Sequence, residues 1–156
     1  EKAVREINTG IYAFNNQSLF EGLKHLNNNN AQNEYYLTDL VEILKKLGKK
    51  VVAIPCDDWQ EVQGINGNVE LAHAAKYMQE RINTEWMKKG VTIYDPNTAY
   101  IGPNVTFGTD VIIHPNTYLY GDTTVEDFAE ILPGTWLEDT KVSKAEIVGP
   151  FIRRKG

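Results

Sequence analysis

Residues 100–137 read YIGPNVTFGTDVIIHPNTYLYGDTTVEDFAEILPGTWL, and an apolar residue returns at every sixth place: Ile101, Phe107, Ile113, Leu119, Val125, Ile131 and Leu137. Four residues after each of the first six stands a small or β-branched residue: Val105, Val111, Thr117, Thr123, Ala129 and Thr135. Turn formers fall between them, as Pro103-Asn104, Thr109-Asp110, Pro115-Asn116, Gly121-Asp122 and Pro133-Gly134. An inward aliphatic, a turn pair and a second small inward residue, repeated with period six, predict a parallel β-helix. No hexapeptide can bury its own apolar residue, so successive coils must stack into one continuous core. A run of short antiparallel strands would not hold a single phase over so many repeats.

Outside this ladder, composition sets the bounds. A chain of 156 residues can form one domain or two small ones. Its 42% hydrophobic and 24% charged residues are ordinary for a soluble globular protein. A net charge of −5 argues against non-specific binding to nucleic acid or to an anionic membrane, since both require basic surface. Any phosphate ligand then needs a local cation. No apolar run approaches a membrane span and no signal peptide opens the sequence. The single Cys56 cannot make an intrachain disulfide, fits a reducing, cytoplasmic setting, and is expected to be a small buried hydrophobe at a strand end. The sequence starts at Glu1 in what reads as a strand, so a fragment is expected.

In chain order, Arg5 to Phe14 alternates and is β-branched enough to predict a strand that carries Asn8 and Gly10. Ser18 and Glu21 have capping-box spacing ahead of Leu19, Phe20, Leu23 and Leu26, which predicts a short helix running into the Asn27 to Asn30 loop. A second helix is expected with Leu40, Val41, Leu44 and Leu47 on one face and Gly48 as its stop, followed by a strand from Lys50 to Pro55. A longer helix from Asn68 to Lys89 places Val69, Leu71, Ala75, Met78, Ile82 and Trp86 on one stripe, with Gly90 as C-cap. Val91 to Tyr94 reads as a strand, and Asp95-Pro96-Asn97 turns the chain into the ladder. The expected organisation is an incomplete α/β piece over 1–67, a linker helix over 68–90 and the β-helix over 91–156.

Six ordered motifs carry a resemblance: EINTGIYAF (6–14), NAQNEYYLTD (30–39), EVQGIN (61–66), QERIN (79–83), GVTIYDPNTAYIG (90–102) and VGPF (148–151). In that order the chain resembles the middle of the bacterial bifunctional N-acetylglucosamine-1-phosphate uridyltransferase and glucosamine-1-phosphate acetyltransferase. The resemblance implies the C-terminal part of a nucleotidyltransferase, Rossmann-like domain, then the linker helix, then a left-handed parallel β-helix of hexapeptide repeats that forms a homotrimer. Handedness rests on the resemblance, because the general rule for parallel crossovers is right-handed. At the family's coil of about 18 residues the ladder spans about three coils. Implied ligands in the intact enzyme are UTP, N-acetylglucosamine-1-phosphate, acetyl-CoA, glucosamine-1-phosphate and Mg²⁺.

The same resemblance assigns residues. Asn8 falls on the asparagine that, with an upstream Asp, holds the magnesium of the uridyltransferase site, and so counts as both metal- and substrate-binding. By itself a strand Asn is more often a solvated surface residue. The phosphate-cradling glycine-rich loop has no counterpart here, as the sequence has neither G-x-G-x-x-G nor a Walker pattern. Glu34, Tyr35, Tyr36 and Asp39 read as a cap and a packed face rather than as acid/base groups, and no catalytic residue is assigned. The family has Gly where Asn33 stands, and an acidic residue and Arg at Gly67-Asn68. His25 and His73 read as surface residues. His114, beside a rung, lies where hexapeptide acyltransferases can carry a base, but this family's catalytic His lies downstream of VGPF. Trp59, Trp86 and Trp136 read as packing or subunit contacts. In the tail Arg153-Arg154-Lys155, Lys155 falls on the family's arginine that meets the acceptor's sugar phosphate, or else is simply a basic solubilising residue.

Between Leu137 and Val148 the sixfold phase slips, which points to lost coils or a divergent copy. Two further classes stay open, a free-standing hexapeptide acyltransferase and a non-catalytic β-helix module for trimerisation. The chain alone is expected to be inactive.

Overall fold

The computed structural model describes residues 6–156. They divide into two compact units between Gly64 and Ile65. Arg5, where the first expected strand begins, lies outside the described residues.

In the first unit the two expected helices form. Helix α1 (Asn16–Leu23) is capped by the Asn15 side chain, which accepts the Ser18 N–H at 3.1 Å. The cap is thus three residues earlier than the Ser18/Glu21 box predicts, and Glu21 instead meets Lys49 Nζ at 2.8 Å. Helix α2 (Asp39–Lys46) buries Leu40 and Leu44, which lie against Gly22 of α1, while Val41 stays exposed. Gly48 ends it at φ +71°, and the Lys49 N–H reaches back to the Leu44 carbonyl at 2.9 Å. A short 3-10 turn, Trp59–Val62, was not foreseen.

Neither expected strand of this unit forms. Residues 6–14 and 50–55 contain no strand, and Ile7 (88%) and Ile54 (86%) are almost fully exposed. Alternation and β-branching give a local preference only; a strand needs a neighbour to hydrogen-bond, and no described segment of this unit supplies one.

The second unit starts with α3 (Asn68–Lys88), whose closing Gly90 has φ +98°. Eleven short strands follow: β1 Thr92–Ile93, β2 Ala99–Ile101, β3 Thr106–Phe107, β4 Ile112–Ile113, β5 Thr117–Tyr120, β6 Thr124–Val125, β7 Glu130–Ile131, β8 Trp136–Glu138, β9 Lys141–Val142, β10 Ile147–Val148 and β11 Arg153–Lys155. Every pairing is parallel and joins each strand to the one three places on. Three sheets result, β1-β4-β7-β10, β2-β5-β8-β11 and β3-β6-β9. This is a solenoid of about four turns, consistent with a left-handed β-helix of hexapeptide repeats.

Register explains the period of the ladder and the slip in it. Ala99 pairs with Thr117, Thr106 with Thr124 and Ile112 with Glu130, a coil of 18 residues. Thr92 pairs with Ile112, because the first coil holds two additional residues in the Asp95 turn. After Glu138 the spacing falls to 17, as Thr124 pairs with Lys141 and Trp136 with Arg153. The slip is therefore a corner shortened by one residue, where Asp139 takes φ +52° and its Oδ1 accepts the Asp122 N–H at 3.0 Å. Val142 completes the third coil, and a fourth follows in phase with Val148 as a buried rung, so the expected count of three was one too low.

The core is the stack of rungs: Ile93, Ile101, Ile113, Leu119, Val125, Ile131, Leu137, Val142 and Val148 are all buried, and Val105, Val111, Thr117, Thr123, Ala129 and Thr135 fill the second inward places. Corners recur in left-handed backbone at Asp110, Asn116 and Gly121, which Asn, Asp and Gly tolerate best. At Gly121 a Cβ would collide with the Asp139 carboxylate of the next coil. Phe107 is only half-buried, because its sheet begins with β3 and no strand lies beneath it. Trp86 of α3 covers it instead, edge-on at 5.0 Å.

Helix α3 closes that end of the solenoid with the C-terminal part of the stripe read from its apolar residues, Ile82 and Trp86, but not with its N-terminal part. Val69, Leu71 and Met78 are exposed. The docked face is Gln79, Ile82, Asn83 and Trp86, at i, i+3, i+4 and i+7. Gln79 Nε2 donates to the Ala99 carbonyl at 3.0 Å, and Asn83 Nδ2 to Pro96 and Ala99 at 2.8 and 2.9 Å. These amides satisfy first-coil carbonyls that no earlier coil can reach. A search for apolar periodicity passes over them, although their spacing is helical.

Candidate functional site

Asn8 lies in extended chain of the first unit and is exposed. Its Oδ1 accepts the Gly10 N–H at 3.1 Å, and its Nδ2 donates to the Tyr12 hydroxyl at 2.6 Å. Gly10, at φ +76°, makes the turn that allows the first bond, and Tyr12 stacks on Phe14 at 5.7 Å. The amide plane is thus held locally, and one lone pair of Oδ1 remains for another partner. Among the described residues no group of three or more His, Cys, Asp or Glu is placed to hold a metal ion. One neutral oxygen is too little for Mg²⁺, which demands a near-octahedral shell. The described residues alone do not fit the ion.

Lys155 lies on β11, in the second unit, and the two residues are described each in its own unit. Its Nζ meets Glu138 Oε1 at 3.2 Å, with the Lys155 side chain 59% exposed. Its neighbours are also engaged: the Arg153 guanidinium lies 4.2 Å over the Trp136 ring, and Arg154 Nη1 meets Glu146 Oε1 at 3.1 Å. Arg153 and Lys155 have partners on the preceding coil and Arg154 has one on its own, so the tail is not a loose basic end.

The remaining candidates take structural places. His114 Nε2 lies 2.6 Å from Glu130 Oε1 and packs edge-on against Tyr94, bracing the second coil to the third. Tyr36 donates to Gln32 Oε1 at 2.9 Å, and Asp39 opens α2. Asn33, where the family has Gly, has φ +54°, a conformation that Asn enters more readily than most residues. His25, His73 and Trp59 are exposed. Cys56 is exposed as well, its Sγ 3.1 Å from the Asp58 carbonyl. The expectation of a buried thiol fails because the strand it was to end does not form.

Two carboxylates of the solenoid are held below their ordinary pKa by hydrogen bonds to their charged forms. For Glu126 the largest cause is the Lys141 ammonium at 2.7 Å, followed by the Lys144 N–H. For Glu146 it is the Ser143 N–H at 2.8 Å, with Arg154 adding to it. Burial raises the Tyr120 hydroxyl above its usual value, with Tyr118 and Tyr100 contributing. Shallow hollows lie beside α2, lined by Thr38, Val41 and Lys45, and on the third sheet, lined by Thr106, Thr124 and Lys144; neither includes Asn8 or Lys155.

Asn8 and Lys155 are thus each held by partners within their own unit. No family model matches the chain. It is 44% identical over 148 residues to the bifunctional protein GlmU of Halalkalibacterium halodurans, covering 95% of this chain and 32% of that protein. The bifunctional proteins GlmU of Lactobacillus helveticus and Streptococcus agalactiae are 46% and 47% identical over 142 residues, each covering 91% of this chain and 31% of the relative. The chain thus spans about a third of the length of these relatives. Across that span it is a homologue of the bifunctional GlmU proteins.

Proposed function

We propose that this chain serves within an enzyme that makes UDP-N-acetylglucosamine, by uridyl transfer from UTP to N-acetylglucosamine-1-phosphate coupled to acetyl transfer from acetyl-CoA to glucosamine-1-phosphate. The observation that carries the reading is 44% identity across 95% of the chain to a bifunctional GlmU protein. Asn8 is proposed as one neutral ligand of Mg²⁺ in the complete uridyltransferase site. Lys155 is proposed to meet the phosphate of glucosamine-1-phosphate. Its pair with Glu138 is exposed on the lysine side and half-buried on the other, and a pair largely in contact with solvent is worth only about 0–1 kcal/mol, so a phosphate dianion can displace the carboxylate. Lys supplies a point charge there, without the bidentate fork of an arginine.

Such an enzyme works on water-soluble nucleotides in the cytoplasm, and no helix among the described residues is long and apolar enough to cross a membrane. Two results test the function. The 156-residue chain is expected to release no pyrophosphate from UTP and N-acetylglucosamine-1-phosphate. In a protein of the relatives' full length, Asn8→Ala is expected to slow uridyl transfer about 100-fold, equivalent to losing a transition-state contact of about 3 kcal/mol, and to leave acetyl transfer unchanged. Turnover by the chain alone, or an unaffected full-length variant, rejects the assignment of Asn8.

A threefold assembly is part of the proposal. It is supported by an outward column on the second sheet, in which Tyr100 stacks on Tyr118 at 5.1 Å and Trp136 continues the register. Flat faces bearing such rings bury well around a symmetry axis. Sedimentation equilibrium is expected to return three times the chain mass, and a monomer at high micromolar concentration rejects it.

A further inference from the structure

Asn66-Gly67 is the one Asn-Gly pair in the sequence, and it stands in exposed, irregular backbone at the entry to α3. The asparagine amide carbon is a weak electrophile, which places Asn among the thermolabile residues. Its nearest attacker is the backbone nitrogen of the following residue, which closes a five-membered ring onto Cγ. A side chain on that residue crowds the approach and restricts the backbone, whereas glycine does neither.

The structure leaves this approach open. Where a Cβ on Gly67 would stand, only the end of a flexible side chain lies within 4 Å, Glu70 Oε2 at 3.1 Å. Gly67 is the N-cap of α3, and no side chain caps that helix. Among the described residues neither the Asn66 side chain nor the Gly67 N–H takes part in a hydrogen bond. Other asparagines are held or hindered. Asn83 is buried and donates to two carbonyls, and Asn104 Nδ2 donates to Asp122 Oδ1 at 3.1 Å. Asn8, Asn97 and Asn116 are each followed by a threonine, whose branched Cβ stiffens and crowds the site.

We propose that Asn66 is a site of spontaneous deamidation, which places aspartate and isoaspartate ahead of α3. The Gly67 nitrogen gives up its proton and bonds to the Asn66 Cγ, the Cγ–Nδ2 bond breaks, and the amide leaves as ammonia. Water then opens the succinimide. Cleavage of the new Cγ–N bond gives aspartate in an unaltered backbone, and cleavage of the original peptide C–N bond gives isoaspartate, whose backbone runs through the side-chain carbons. The sum is one water taken up and one ammonia released, with no change in oxidation state. Either product adds one negative charge to a chain whose net charge is −5. That charge falls one residue before the N-cap of α3, where the helix dipole favours an anion. The site does not depend on the proposed enzymatic activity.

The test incubates the 156-residue chain at neutral pH and body temperature and follows its peptides by mass spectrometry. The peptide holding Asn66 is expected to gain the mass of an amide-to-carboxyl exchange, several-fold faster than the peptide holding the irregular Asn27 to Asn30 run. An isoaspartyl methyltransferase with labelled methyl donor is expected to mark the same peptide. Conversion should slow in mildly acidic buffer, because the attacking nitrogen must lose its proton. Gly67 is extended, at φ −164°, so Gly67→Ala brings no backbone strain; it is expected to convert several-fold more slowly, with circular dichroism unchanged. Asn66→Gln is expected to lose the labelling. An unaltered Asn66 after a synthetic Asn-Gly peptide has largely converted alongside it overturns the proposal. So does conversion to aspartate without isoaspartate, or a wild-type rate in Gly67→Ala.

Discussion

Ile113→Asp is expected to abolish the cooperative melting of the solenoid, or to lower its midpoint by about 15 °C or more. Ile113 is fully buried and stands in register between Ile93 and Ile131, so every neighbour along its column is aliphatic. An aspartate there is either charged without a partner or is protonated at a cost in free energy, and the cavity left by the lost side chain adds to either. Truncation of a buried Ile alone costs about 2–5 kcal/mol, and an unpaired buried polar group adds about 1–3 more. Against a total stability of about 5–15 kcal/mol, that is enough to unfold a unit of this size. The adjacent Ile112, which points outward and is half-buried, provides the control, and Ile112→Asp should shift the midpoint by only a few degrees. Circular dichroism melting of the pair decides it, since equal midpoints would mean the inward register is misassigned.

Asn83→Asp is expected to release α3 from the first coil. The change is nearly isosteric, but it replaces a donor by an acceptor in front of two carbonyls, Pro96 at 2.8 Å and Ala99 at 2.9 Å, at a site with no solvent exposure. Both hydrogen bonds are lost and carboxylate oxygens then face carbonyl oxygens, a penalty of about 3 kcal/mol or more. Asn83 already carries one strained feature, because its Oδ1 is buried and accepts no hydrogen bond from any described residue, so the site has little to rearrange toward. Hydrogen exchange of the amides in 79–88 reads the outcome directly: protection should drop by about 100-fold or more. Gln79→Ala, which removes bonds from a half-buried side chain and leaves no misplaced acceptor, should cost less. Unchanged protection in Asn83→Asp would mean that apolar contact through Ile82 and Trp86 docks the helix unaided.

Much of the second unit could be read before any coordinates. Ile101 through Leu137 name the inward column residue by residue, and Asp110, Asn116 and Gly121 mark corners in left-handed backbone. The phase slip was visible as well, but not its meaning, because one residue removed from a corner and a whole coil removed give similar breaks in a pattern of period six. Only the pairing of Thr124 with Lys141 separates the two. The polar half of the docked face of α3 was missed for a related reason. Its decisive contacts come from Gln79 and Asn83, polar residues that an apolar stripe disregards, and their partners are carbonyls whose lack of a lower neighbour is a property of the folded end.

The first unit shows the opposite case. Residues 6–14 and 50–55 have the composition of strands and are not strands among the described residues, and Cys56 is exposed where a strand end would have buried it. Asn8 and Lys155 were singled out by motif, while their bonds to Gly10, Tyr12 and Glu138 came from the structure alone. The division has one physical cause. In a β-helix each coil's neighbour is the next coil in sequence, so a local repeat specifies the strand, its partner and its register together, and the sequence by itself determined the ladder. Where the partner is remote, as for a helix on a prism end or a strand seeking a sheet, local pattern states only a preference. There the contact was decided by tertiary structure, which alone brings the two groups within hydrogen-bonding distance.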